Sequence, residues 1–356
     1  MNESTDRIVF RVASATRVGG GHVSRCLAVA RALGDAVPAL FVLDPGADAA
    51  AARCAEAGVE ISFGPLDVAS GVRACVLDGY EFTPTDIAYF ASIAPLAVFD
   101  DFGSPPAGAS LAINATPGLS GNCQGGVPAL LGTRYAAIDA RFAALAEWPP
   151  AAAVRNVLVT LGRTEAHAEA RRALEALESA RNHEFDPEVT LVLPGADTMP
   201  EGLRQIVERP SQRITVIESV SDMAAALAEV DLVVGAGGVS LLERMAAGVP
   251  SVSVVLADNQ RAYIAGAAAL GATRACELDD DSATGEDLEE AIWRVARDPD
   301  LRAEMVRAGR QAVDGLGANR IADALLGMAE FAGQWVGGIH DGRAGAALGS
   351  GQGKGE

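Results

Sequence analysis

The chain has 356 residues, 49% of them hydrophobic and 21% charged, and a formal net charge of -19. This is a globular composition, and the length suits two domains better than one. The acidic balance argues against general nucleic-acid binding and against docking on anionic membranes, so any anionic ligand must be held locally, by helix N-termini and a few arginines.

The first half alternates short apolar runs of β type with alanine-rich helical stretches. Arg7–Val12 reads as a strand, His22–Leu33 as a helix, Ala39–Leu43 as a strand and the region near Asp48–Ala57 as a helix. Further strands are predicted at Val59–Phe63, Ala74–Leu77, Leu96–Phe99 and Leu111–Asn114. At Trp148-Pro149-Pro150 two prolines stop the preceding helix and favour an extended link. The alternation then restarts, with strands at Val154–Leu161, Val189–Leu193, Ile214–Ile217, Leu232–Val234 and Ser251–Val255. Helices are predicted at Glu165–Arg181, Val239–Ala247 and Asn259–Leu270, and from Asp287 to about Trp335 the chain reads as wholly helical. Gly337–Glu356 is glycine-rich and aperiodic and reads as a disordered tail.

Nearly continuous apolar strands alternating with helices indicate parallel sheets covered on both faces. The predicted fold class is therefore α/β, with two Rossmann-like doubly wound domains, 1–150 and 151–336, and a tail at 337–356. Ligands of such sheets bind at the carboxyl ends of the strands, so a cleft between the two domains is the expected site.

Five cysteines, an odd number with no CxxC spacing, argue against a disulfide framework or zinc site and suit a reducing compartment, and four scattered histidines make a poor metal site. The N-terminus shows no secretory signal, and no apolar run approaches the roughly 20 residues that span a bilayer. We expect a cytoplasmic monomer without cofactor, metal, nucleic-acid partner or membrane insertion.

Three motifs carry candidate chemistry. Gly19-Gly20-Gly21-His22-Val23-Ser24-Arg25 follows the first strand and opens a helix, placing a histidine at the carboxyl edge of the sheet. It lacks both the dinucleotide-binding glycine pattern and the Gly-Lys-Ser/Thr of a Walker loop. His22 either faces the cleft as an acid–base group or caps its helix. Gly235-Ala236-Gly237-Gly238-Val239-Ser240-Leu241-Leu242-Glu243 repeats this strand-to-helix arrangement in the second half. There phosphate could rest on the amides of Val239 and Ser240, and Glu243 could accept both hydroxyls of a ribose or merely complement the helix dipole. Asp258-Asn259-Gln260 follows Ser251–Val255; Asp258 could cap a helix while the two amides meet sugar hydroxyls. Asp78-Gly79-Tyr80, Asp100-Asp101-Phe102 and Asn114 stand at the ends of other strands of the first half. Asp100-Asp101 could be read as half of a metal site, but no third ligand has a matching spacing.

In order, these segments resemble the UDP-2,4-diacetamido-2,4,6-trideoxy-β-L-altropyranose hydrolase family of pseudaminic acid biosynthesis. The match spans roughly residues 7 to 275 and is strongest at Gly19–Leu27 and Gly235–Gln260. The resemblance implies a GT-B fold, a UDP-sugar substrate and inverting hydrolysis to UDP and free sugar, in a route to surface or flagellin glycosylation. It implies His22 as the catalytic residue and Gly237, Gly238, Val239, Ser240 and Glu243 as the nucleotide site. Gly21, Arg25, Tyr80, Asn114, Tyr135, Asn259 and Gln260 would contact sugar or phosphate. The charge of the leaving group would fall to the amides at Gly237–Ser240, with Arg17 or Arg163 as a further cation. The chain departs from the family pattern at Ala13, where an aspartate is usual, at Gly79, where a histidine is usual, at Asp139, where an arginine is usual, and at Gly162-Arg163-Thr164-Glu165. A GT-B glycosyltransferase with a UDP-sugar donor and a non-catalytic nucleotide-sugar-binding homologue share the same motifs and stay open as alternatives.

Overall fold

The structure, a computed structural model, describes residues 7–14, 20–64, 71–145, 152–162, 166–181, 185–209, 213–277 and 287–328. The linker prolines, Arg17, Gly19, Arg163 and the tail expected at 337–356 lie outside the described residues.

Two sheets organise the chain. The first contains β1 (Arg7–Val12), β2 (Ala39–Leu43), β3 (Glu60–Phe63), β4 (Val72–Asp78), β5 (Leu96–Phe99), β6 (Leu111–Asn114) and β7 (Ala129–Leu131). Its order is β3-β2-β1-β4-β5-β6-β7, and every described pairing is parallel. The second contains β8 (Asn156–Thr160), β9 (Glu188–Val192), β10 (Ile214–Ile217), β11 (Leu232–Ala236), β12 (Ser251–Val255) and β13 (Arg274–Glu277). Its order, β10-β9-β8-β11-β12-β13, repeats the first and is again parallel. In each sheet the strand order reverses beside the first strand: between β1 and β4, and between β8 and β11. Crevices for ligands open at such reversals.

Helices cover both sheets. In the first half they are α1 (Gly21–Leu33), α2 (Asp48–Glu56), α3 (Pro84–Ile93) and the short α4 (Arg141–Ala144). In the second they are α5 (His167–Ala180), α6 (Glu201–Val207), α7 (Met223–Ala228), α8 (Val239–Ala247), α9 (Asp258–Ala269), α10 (Leu288–Arg297) and α11 (Pro299–Ala312). α3 shows why a helix starts where it does. Thr83 and Asp86 form a reciprocal capping box, and Pro84 occupies the first turn, where its missing N–H costs nothing.

The expected assignment of 151–336 to the second domain is corrected at its end. α12 (Gly317–Met328) returns to the first sheet, where Ala318, Ile321, Ala322, Leu325 and Met328 join Val23, Leu27 and Val76 in one core. These positions repeat at helical spacing, and burying each large apolar side chain is worth about 1.5–3 kcal/mol. The re-entry depends on two glycines. A Cβ on Gly317 would lie 2.2 Å from the Ala136 carbonyl oxygen, and Gly315 has φ +76° with a Cβ position 2.4 Å from that of Ala143.

A third apolar cluster joins the halves. Ala136, Ile138 and Phe142 from the first pack with Leu241, Met245 and Tyr263 from the second. Arg141 adds an ion pair to Asp222 at 2.9 Å.

Candidate active site

The junction is built on the two glycine-rich turns. α1 starts at Gly21 and α8 at Val239, and a Cβ on Gly21 would lie 3.6 Å from Val239 Cγ2. Two helix N-termini thus abut across the halves. Their N-cap residues, Gly20 and Gly238, offer no capping side chain, and neither first turn contains an acid. Among the described residues, no hydrogen bond is formed by the backbone N–H of Val239 or Ser240. Uncapped amides and two positive dipole ends converging on one place are what an anion requires.

His22 lies in the first turn of α1, only 7% exposed, and does not cap it. Its Nδ1 is 2.5 Å from Asp78 Oδ1, at the end of the neighbouring strand β4. Asp78 is fully buried and accepts only, so Nδ1 carries a proton toward it, and in the neutral ring the lone pair is on Nε2. This is the tautomer and orientation of a general base.

Asp78 is the centre of a larger network. Arg25, one turn after His22, donates to both oxygens of Asp78 from Nε (2.6 Å) and Nη2 (2.5 Å). Its Nη1 reaches both oxygens of Asp101 at 2.9 and 3.1 Å, and the guanidinium lies 4.5 Å from the Phe99 ring centroid. Burial alone would raise the Asp78 carboxyl, but the nearby Arg25 and His22 hold it well below the usual carboxylate range. Asp101 is likewise lowered, burial being outweighed by Arg25 and Tyr80. Tyr80 donates to Asp101 Oδ2 at 2.5 Å, and its ring meets the His22 ring edge-on at 4.8 Å. From the second half, Tyr263 donates to Asp101 Oδ1 at 3.0 Å and Asn259 Nδ2 donates to Tyr80 Oη at 2.9 Å. Burial first, then the negative Asp101, push both phenols up, so they remain donors at neutral pH.

Several expectations change. Arg25 was expected to meet sugar or phosphate; it is turned inward, since two buried carboxylates neutralise it and consume its donors. Asn114 is buried, and its Oδ1 accepts from Thr116 N at 2.9 Å, so it shapes the turn after β6 rather than a ligand surface. Tyr135 packs beside the first core, with Arg134 over its ring. Gln260 uses its Oε1 to hold Leu256 N at 3.0 Å, which leaves its amide N–H groups for a ligand. Asp258 is the first residue of α9, not its cap; Ala257 holds that position. Tyr80 and Asn259, by contrast, meet at the cleft beside His22. Gly21, Gly237, Gly238, Val239 and Ser240 lie at the junction of the two helix starts.

Glu243 projects from the second turn of α8 and is partly buried. Its carboxyl is pushed up to about 7, chiefly by burial and further by Asp139, against the pull of Arg244 and Arg53. Among the described residues nothing hydrogen-bonds to it. Arg53, from α2, bonds to Gly20 O at 3.2 Å and Ser24 Oγ at 2.7 Å, which sets a cation at the mouth of the first glycine turn. A polar cavity of about 390 Å³ opens at the end of β12, lined by Val255, Leu256, Ala257 and Asp258 and by Arg171, Arg172 and Arg261.

Two departures from the family pattern are a single feature. A Cβ on Gly79 would lie 2.4 Å from Ala13 Cβ and 2.8 Å from the Phe82 ring. Residue 79 is glycine because Phe82 and Ala13 fill the space of any side chain there. Asp139, a third departure, pairs with Arg31 at 2.7 Å and Arg141 at 3.3 Å.

Paired parallel sheets of this order form a two-domain GT-B fold. Residues 155–283 match the family model described as "Glycosyl transferases group 1". MurG of Acinetobacter baumannii superposes with a TM-score of 0.64 at 19% identity, over 90% of this chain and 100% of that one. The glycosyltransferase SnogD of Streptomyces nogalater gives 0.58 at 18% identity, over 91% and 100%. The spore coat polysaccharide biosynthesis protein SpsG of Bacillus subtilis (strain 168) is 28% identical over 176 residues, 49% of this chain and 51% of that protein. The chain thus spans about half the length of this curated relative. Among the described residues no helix is long and apolar enough to cross a membrane.

Proposed function

We propose that the chain cleaves the bond between a sugar and a nucleoside diphosphate, UDP by the sequence resemblance, and passes the sugar to an acceptor hydroxyl. The observation that carries this reading is the His22–Asp78 pair set beside two uncapped helix N-termini. His22 Nε2 takes the proton of the attacking hydroxyl as its oxygen bonds to the anomeric carbon. The anomeric C–O bond to the diphosphate breaks, and its electron pair leaves with the nucleotide. The amides of Val239 and Ser240, with Arg53 nearby, stabilise that charge. The new imidazolium is held by the ionised Asp78. Base and leaving group come from opposite halves, so the anomeric centre inverts. The "Glycosyl transferases group 1" match over the second half and the fold shared with SnogD support transfer.

Hydrolysis, with water in place of the acceptor, is the second reading, and one observation favours it. His22 is nearly covered, with Tyr80 against its ring, which suits a small nucleophile. The diacetamido-trideoxy sugar of the resembled hydrolase family is then the substrate to try first.

NMR of anomeric protons during incubation with UDP-sugars, with and without acceptor sugars, separates the two. Donor consumed only with acceptor means transfer; free inverted sugar without acceptor means hydrolysis. His22→Ala and Asp78→Asn are expected to slow either reaction about 10²–10⁴-fold while UDP still binds. Undiminished turnover in His22→Ala would remove the histidine from the mechanism.

A further inference from the structure

Beneath the second glycine turn lies an arginine that the mechanism has not used. Arg244 is 1% exposed, and among the described residues it forms no ion pair. Its Nη2 donates to Ala236 O at 2.8 Å and Ser253 Oγ at 3.2 Å, and its Nη1 to Ser240 Oγ at 3.3 Å. Its Nε is buried with no partner. Burial pulls it down to about 10, against the opposing effect of Glu243, so it is a cation at neutral pH. Its hydrogen-bond acceptors are all neutral oxygens, and a buried charge held by neutral partners is costly unless an anion is brought to balance it.

The surroundings are shaped to hold it. A Cβ on Gly235 would lie 3.0 Å from Arg244 Nη1 and 2.9 Å from Thr160 O, so glycine at the end of β11 makes the room. Ser253 passes the contact on to Thr273 at 2.7 Å and thence to Ser251 at 3.0 Å, a buried hydroxyl row crossing β12. Since Arg244 donates to Ser240 Oγ, the serine's own proton is free to point out of the turn. Only 3.5 Å to Ala236 O competes for it. The guanidinium thereby fixes both the strand end that aims the turn and the hydroxyl that faces its mouth.

We propose that Arg244 is a positioning residue for the diphosphate: it supplies the buried counter-charge to the anion and orients Ser240 to donate to a phosphate oxygen. This rests on the nucleoside-diphosphate reading above. It differs from a purely structural role in one respect: it acts on the charged part of the ligand and not on the nucleoside.

The test is binding of UDP, inorganic pyrophosphate and uridine to the full chain, by calorimetry or ligand-observed NMR. Wild type, Arg244→Met, Arg244→Lys, Ser240→Ala and the double variant Arg244→Met/Ser240→Ala are compared. Arg244→Met should lose about 10–100-fold for UDP and pyrophosphate yet stay within about twofold for uridine. Arg244→Lys keeps the charge and should recover part of the loss. The two losses should be less than additive in the double variant, because both act through one hydroxyl. Retained uridine binding shows that the variant is folded. If Arg244→Met fails to fold, the Lys variant carries the same comparison. Equal loss for uridine and UDP, or unchanged UDP binding, overturns the role of Arg244 alone. Wild type that binds neither UDP nor pyrophosphate overturns the diphosphate reading, and this proposal with it.

Discussion

Around Asp78 the Arg25, Tyr80 and Tyr263 donors and both carboxylates have protein partners, whereas at the Gly237–Ser240 turn the Val239 and Ser240 amides, the Glu243 carboxyl and Arg244 Nε form no hydrogen bond among the described residues. The first region is finished before any ligand arrives. A base works only if its tautomer and direction are set in advance, and interior carboxylates and Arg25 set them. On the proposed function, the second region is completed by the nucleotide. Its unsatisfied groups are all suited to an anion with hydroxyls attached. On the proposed function, orientation of the base is bought with stability in one half, and ligand affinity with the lack of it in the other.

The largest effect that would test this contrast comes from Arg25→Met. It leaves Asp78 and Asp101 buried without their common cation, and breaking such a pair costs about 3–5 kcal/mol. Chemical denaturation should show that loss; a shift below about 1 kcal/mol would mean the first region is less pre-organised than its geometry implies.

Glu243→Gln comes next. In the empty protein the carboxyl is raised to about 7, chiefly by burial. A raised acid favours folding below its unfolded value, near 4.3, and that contribution is lost as pH rises through about 7. Ribose hydroxyls donate to the ionised form, so UDP affinity should rise over the same window as stability falls. Glu243→Gln should flatten both profiles and weaken UDP about tenfold. Thermal melts and calorimetry between pH 5.5 and 8 read the two signs, and parallel profiles would contradict the assignment.

The smallest effect is expected from Tyr263→Phe, which removes one hydrogen bond to Asp101 across the halves. A bond to a charged group is worth about 1.5–3 kcal/mol, and Arg25 still satisfies that carboxylate, so the lower end is expected. Turnover should fall little. A loss as large as that of His22→Ala would show that the contact between halves shapes the base itself.

Much of the fold was legible because it depends on local pattern. β1, β2, β5, β6, β10 and β12 coincide with apolar runs bounded by turn residues. β7 and β13 did not stand out: they are three and four residues long, at sheet edges, and Arg274–Glu277 sets two small residues between an arginine and a glutamate. At the site, glycine turns marked His22 and Ser240, because a sharp strand-to-helix turn must be written locally. The partners of His22 were not written locally. Asp78 and Asp101 stood out only as polar strand ends, and their use depends on strand order. Tyr263 had a usable signal, lying one helical turn after Asn259 on the same face. Arg244 had none, since its burial follows from the absence of a side chain at Gly235, across the turn.

The return of α12 has a consequence for synthesis. The second sheet and its helices are contiguous in the chain, so that half can fold as soon as it leaves the ribosome. The first half emerges earlier but lacks the helix that closes its core until residue 328 is made. At roughly 5–20 residues per second the interval after β7 is on the order of ten seconds or more. Throughout it, the face formed by Val23, Leu27 and their neighbours stands open, so the half translated first is the half completed last.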